Sequence, residues 1–291
     1  LPELSSEALD FRLASECFAA VRKLTRAHLR TLHLLATHQR REVPTVGGVL
    51  LFGKDRLKHF PDSWLRAGCF AGTDRSTILD SSNLTACPVH AVEDALRFVQ
   101  RNTRRAVEVK SVHHREVWEF PVVALREAII NAVVHADYAQ RGSPLRLAVF
   151  SDRIEIENPG NLPPGLTIED IRRGVSKLRN RVIGRVFHEL GLIEQWGSGI
   201  QRMTAACRHA GLPDPELEEI GSSFRVTLRR TRVAAPERDA VDGAIVEFLR
   251  RHPGATTSRI AAQIERTPRA TQTRLKRLVE LGQLVAIGSS V

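Results

Sequence analysis

Apolar positions recur at helical spacing over several stretches of the chain. Residues 5–37 place Leu13, Cys17, Val21 and Leu24 on one face and predict helix. The segment 44–48 interrupts that pattern. Val49, Leu50, Leu51 and Phe52 then form a short unbroken apolar run closed by Gly53, which predicts a buried strand. Residues 65–70 predict a second strand. Val92, Leu96 and Val99 predict a helix over 88–101.

The densest apolar pattern lies at 121–136, where Val122, Leu125, Ile129, Ala132 and Val133 surround a stripe of Glu127, Asn131 and His135. Spaced four apart, those three side chains share one face of a single helix. Residues 145–150 read as a strand, and Ile154-Glu155-Ile156-Glu157 alternates as its hairpin partner across a turn at Asp152-Arg153. A loop rich in proline and glycine occupies 158–165. Helices are predicted at 167–174, 179–190 and 199–210, and a strand at 224–228.

Residues 231–238 read as a linker. Beyond it, a helix carries Val241, Ile245, Phe248 and Leu249, a short helix follows Thr257, and Thr267-Pro268 opens a third helix that runs to Leu281. Leu284 to Ile287 starts a strand. Helix, helix, turn, helix, strand is the order of a winged helix-turn-helix. The expected organisation is α+β: a small α+β unit at 1–118, an α/β sandwich at 119–230, and a winged helix at 237–291.

The chain has 291 residues, 42% of them hydrophobic and 26% charged, with a net charge of +10. No apolar run is long enough to cross a membrane as a helix. Arginine dominates the positive charge, which points to a phosphate-bearing partner, nucleic acid first. Cys17, Cys69, Cys87 and Cys207 are far apart and form no C-x-x-C pair. That spacing speaks against a zinc site and a disulfide scaffold, and fits a cytoplasmic location. The first residue is leucine, so a preceding segment is expected.

Four segments occur in a telling order: ALREAIINAVVHADY (124–138), IEIENPGNLP (154–163), SKLRNRVIG (176–184) and WGSGIQRM (196–203). With PTVGGVLLFGKD (44–55), they resemble the RecG-like C-terminal module of Schlafen/AlbA-associated transcriptional regulators. That module is a divergent relative of the GHKL ATP-binding group (gyrase, heat-shock chaperone, histidine kinase, MutL). The resemblance implies ATP and Mg2+ as cofactors, a following winged helix, and an AlbA-type domain ahead of Leu1.

It further implies Asn131 as the Mg2+ ligand and Glu127 as the catalytic group that orients or deprotonates an attacking water. Chain order would bring Asn158 and Gly160 to the same place, Asn158 for a base edge and Gly160 for close backbone approach. Gly197, Ser198 and Gly199 open a helix whose N–H groups suit phosphate, and Lys177, Arg179 and Asn180 are candidates to reach it. One departure is clear: active GHKL enzymes carry Asp-x-Gly-x-Gly where this chain has Asn158-Pro159-Gly160-Asn161-Leu162.

Competing structural readings stand beside these. Glu127 is also explained as an ion pair on an exposed stripe. His135 with Asp137 and Tyr138 is explained as a lock on the helix end, His113-His114 as a polar loop, and Trp196 as packing beside the Gly-Ser-Gly turn.

In the winged helix, Arg269, Thr271, Gln272, Thr273, Arg274, Lys276 and Arg277 are the candidate contacts to double-stranded DNA, with Leu275, Leu278 and Leu281 on the buried side. The expected function is a DNA-binding regulator, dimeric on palindromic sites, modulated by ATP. A DNA-dependent ATPase and a scaffold with an inactive pocket are the alternatives. No G-x-x-x-x-G-K-[ST] motif is present, which argues against a helicase motor.

Overall fold

The computed structural model describes residues 1–103, 105–110, 113–193, 197–230, 240–252, 254–264 and 266–280; within these, side chains at 105–110, 113–117, 240, 242–243, 250, 277 and 279–280 are outside the description. The expected packing of Trp196, the linker at 231–238, the wing strand at 284–287, and the side chains of His113, His114 and Arg277 therefore lie outside the described residues. The chain forms two compact units, 1–231 and 232–291.

The first unit opens with a short 3-10 turn and then α1 (Phe11–Phe18), α2 (Arg26–Thr31), β1 (Leu35–His38) and β2 (Arg41–Pro44). The single helical stretch expected over 5–37 is thus two short helices and a strand. The β1–β2 hairpin turns at Gln39 and Arg40, both with positive φ. Two residues there with positive φ suit a tight hairpin, yet neither is the glycine or asparagine that marks such a turn in sequence.

The apolar run predicted as a strand is α3 (Val46–Phe52). Thr45 caps it by accepting from the Gly48 N–H, and a Cβ at Gly48 would meet the Leu34 carbonyl oxygen at 2.3 Å. Gly48 through Phe52 are all buried. An apolar run buried on every side carries no periodicity to separate helix from strand.

Next come α4 (Arg56–His59), β3 (Leu65–Phe70), β4 (Ile78–Leu84), α5 (Pro88–Asn102), β5 (Arg105–Lys110), β6 (His113–Trp118) and α6 (Val122–His135). They are followed by β7 (Leu145–Val149), β8 (Arg153–Pro159), α7 (Ile168–Arg172), α8 (Arg181–Glu189), α9 (Gly199–His209), β9 (Glu216–Ile220) and β10 (Ser223–Arg229). Six strands make one mixed sheet in the order β4-β3-β7-β8-β10-β9. β3 and β7 run parallel, and the other neighbours are antiparallel. β3 and β4 belong to the stretch expected to be a separate unit, so the boundary expected at 118/119 falls inside a continuous sheet and a shared core.

β8 explains the two faces of that sheet. Ile154, Ile156 and Asn158 alternate with Glu155 and Glu157, and all five are buried. The carboxylates are matched by arginines on adjacent strands. Arg146, Glu157, Arg225 and Glu218 lie side by side across β7, β8, β10 and β9, and Arg225 Nη2 sits 2.9 Å from Glu157. Charge pairing lets that face of the sheet keep its carboxylates out of water.

α6 is apolar nearly all round, with Ala124, Leu125, Ala128, Ile129, Ile130, Ala132, Val133 and Val134 buried. It packs against β8, α5 and α9, the position expected of such a helix. Of the stripe it carries, Glu127 is only 5% exposed while Asn131 and His135 are half-buried, so the exposed-stripe reading of Glu127 does not hold.

The second unit has α10 (Ala240–Arg251), α11 (Thr257–Gln263) and α12 (Pro268–Glu280) around Ile245, Ile260 and Leu278. Thr256 caps α11. Thr267 Oγ1 accepts from the Ala270 N–H at the start of α12. Among the described residues no helix is long and apolar enough to cross a membrane.

Candidate functional site

The α6 stripe meets the start of α9. A Cβ added at Gly199 would sit 2.6 Å from Glu127 Oε2 and 3.4 Å from Asn131 Nδ2. The missing side chain lets the α9 backbone lie close to the carboxylate and amide in these positions. The same helix returns Arg202, whose Nη2 lies 2.6 Å from Glu127 Oε1. Glu127 is thus held in an ion pair with Arg202.

Gly197, with φ of 67°, packs against the Gly174 carbonyl, which a Cβ would approach to 2.5 Å. The segment 174–180 runs from there to the other end of α6. Ser176 and Lys177 along it are exposed.

At the C-terminal end of α6 the remaining candidates gather. Arg179 donates to the Asn161 carbonyl and lies 4.0 Å from Asp137. The Asn180 amide donates to the carbonyls of Val134 and Ala136, at 2.9 and 2.7 Å. That satisfies carbonyls which α6 leaves without partners at its end. Asn158 is buried and donates to Pro159 O. Gly160 has φ of 97°, and its close approach is to Asp137, whose Cβ a new Cβ would meet at 2.8 Å. The Tyr138 hydroxyl donates to Val133 O, and Asp137 N–H to Pro159 O.

His135 is the last residue of α6. Burial, with the charge of Arg179 second, holds its pKa down at about 4. The imidazole is neutral at physiological pH.

The candidates for nucleotide contact therefore line a single helix. Glu127, Asn131, Gly197, Ser198 and Gly199 sit at one part of it. Asn158, Gly160, Arg179 and Asn180 lock its far end. Glu127 to His135 spans about 12 Å of helix at 1.5 Å per residue. Sequence reasoning missed Arg202. A basic residue three positions into α9, on the face turned to α6, was the available signal.

In the second unit Arg269, Gln272, Thr273 and Lys276 are exposed on α12, and Arg274 is half-buried. Leu275 and Leu278 turn to the core as expected. Thr271 is a correction: it is 0% exposed, and its hydroxyl donates back to Thr267 O at 3.1 Å. Buried in this way, it is out of reach of a base edge.

A segment of each unit matches a known domain family. Residues 142–228 match the family described as "Putative ATP-dependent DNA helicase recG C-terminal". Residues 238–285 match the winged helix-turn-helix DNA-binding family. The chain therefore carries an ATPase-like domain of the RecG C-terminal type followed by a winged helix DNA-binding domain, in the order the sequence resemblance implied. The ATPase-like match begins after α6, so Glu127 and Asn131 precede it. The same fold is seen in the crystal structure of the DIP2311 protein from Corynebacterium diphtheriae, with a TM-score of 0.66 at 21% identity. That similarity covers 94% of this chain and 58% of the other, so the chain spans little more than half the length of that protein. No curated protein matches the chain.

Proposed function

We propose that this protein is a DNA-binding transcriptional regulator whose conformation or assembly responds to ATP held along α6. The observation that carries the reading is the Gly199 backbone lying against Glu127 and Asn131. It puts the N–H groups of a helix start, a site suited to phosphate, beside an amide oxygen suited to Mg2+. The donor set fits a nucleotide: Asn131 toward the metal ion, Ser198 and Gly199 toward phosphate, Lys177 reaching in from the exposed segment. Mg2+ would neutralise phosphate charge there. Asn158, Gly160, Arg179 and Asn180 would shape the nucleotide's surroundings toward the C-terminal end of α6.

The Glu127–Arg202 pair favours binding without efficient turnover, since a carboxylate engaged by a guanidinium is a poor base. A DNA-dependent ATPase is the less favoured reading for that reason. Titration calorimetry of the full chain with ATP and Mg2+ tests the proposal. Saturable heat is expected. Asn131→Ala is expected to weaken binding at least tenfold, which is about 1.4 kcal/mol. Absence of heat with the wild-type protein would leave the scaffold reading.

The winged helix supplies the DNA half. Arg269, Arg274, Lys276 and Arg277 would meet phosphates, with Gln272 and Thr273 at base edges, on a homodimer matched to a palindrome and working in the cytoplasm. Lys276→Ala is expected to weaken duplex binding uniformly across sequences and to reduce the salt slope by about 1. Gln272→Ala is expected to relax discrimination at one position by about 1–3 kcal/mol. Salt-series binding with two unrelated duplexes separates these effects. Identical slopes for wild type and Lys276→Ala would remove that side chain from the interface.

A further inference from the structure

Cys17, Cys87 and His90 converge although 70 residues separate the first from the second. Cys17 lies in the last turn of α1, Cys87 is the N-cap of α5, and His90 is in the first turn of α5. Their ligand atoms all lie within 4.8 Å of one another. Cys17 Sγ is 3.6 Å from His90 Nε2. In a tetrahedral zinc site, bonds of about 2.3 Å to sulfur and 2.0–2.1 Å to nitrogen separate those two atoms by about 3.6 Å. The observed distance is thus already that of two ligands on one ion.

The chemistry of the set agrees with the geometry. Two thiols and an imidazole select a thiophilic ion over magnesium or calcium. Cys87 is buried and Cys17 half-buried, so the sulfur atoms are shielded while the cluster keeps a way in. The Cys87 sulfur shares a side-chain hydrogen bond with Cys17 and is met by the backbone N–H groups of His90 and Val89. Among the described residues no fourth protein ligand joins the set, so the fourth position falls to a water from solvent.

We infer that Cys17, Cys87 and His90 form a zinc site that ties α1 to the start of α5. Binding displaces the thiol protons to solvent, and the ion with two thiolates and a neutral imidazole is charge-balanced. The spacing argument against zinc fails here because the ligands come from segments that only the fold joins. The site is separate from the α6 stripe and independent of nucleotide.

The test uses the full chain, reduced with a phosphine and stripped with a chelator, then titrated with Co2+ as the spectroscopic probe. Thiolate-to-cobalt charge transfer and intense tetrahedral ligand-field bands are expected, saturating at one ion per chain and bleached by Zn2+. Both are expected to vanish in Cys17→Ser and in Cys87→Ser and to persist in His209→Ala. Because a serine variant can misfold, the wild-type protein is also alkylated with and without Zn2+; protection of Cys17 is the expected result. The inference is overturned if reduced wild type shows no thiolate–cobalt band, if the band survives both serine substitutions, or if Zn2+ leaves Cys17 alkylation unchanged. A Cys17–Cys87 disulfide formed in air by a protein that takes up no metal would overturn it too, and mark the pair as redox-active.

Discussion

Arg202→Ala is expected to lower stability by about 3 kcal/mol, the scale for removing one partner of a buried ion pair. Glu127 is almost fully enclosed by α6 and α9, so its carboxylate cannot recover the lost charge from bulk water. Arg202 itself is about one third exposed, which places the opposite deletion, Glu127→Ala, at a smaller cost. Urea unfolding of the two single variants and the double variant closes the cycle. A coupling energy below about 0.5 kcal/mol would mean that the pair is well hydrated. The same variant bears on chemistry. If Arg202 is what keeps Glu127 from acting as a base, phosphate release from ATP rises in Arg202→Ala despite the lower stability. A fall to background would instead mean that Arg202 contacts the nucleotide.

The second large effect is in pH. His135 has a folded pKa of about 4 against an ordinary value of 6.5. Between those values the unfolded chain binds a proton that the folded chain does not. Stability contributed by the neutral imidazole is therefore intact above about pH 6.5 and lost as pH falls toward 4. The full difference corresponds to about 3 kcal/mol. Urea midpoints measured from pH 7 to pH 4.5 are expected to fall steeply for the wild type. The His135→Asn profile should be shallower over that window. Parallel profiles would show that other groups carry the acid sensitivity.

Much of this was legible in the residues. Long elements with clear periodicity, such as α5, α6, α9 and β8, lie where their apolar patterns put them. The stripe on α6 and the glycines opening α9 were readable because the chemistry of a carboxylate, an amide and two flexible residues is local. What escaped depended on partners distant in the chain. α3 reads as a strand because burial on all sides erases its period. The β1–β2 turn carries no turn residues. β9, with a single buried position, lacks an apolar signature. The roles of Arg179 and Asn180 as fasteners of the α6 end, and the burial of Thr271, follow from packing that a linear pattern does not encode. The Cys17–Cys87–His90 cluster is the extreme case, with ligands read one by one as unrelated.

The parallel pairing of β3 with β7 has a consequence for how the ATPase-like domain is delimited. The segment recognisable by homology, 142–228, opens just ahead of β7, and the strand that covers that edge comes from residues 65–70. Cut out at its recognised borders, the segment would leave a row of backbone amides and carbonyls bare along an apolar strand, a template for self-association. The matched segment and the stretch needed to complete its sheet are different lengths of polypeptide here. A fragment meant to behave as an independent body has to reach back through β3.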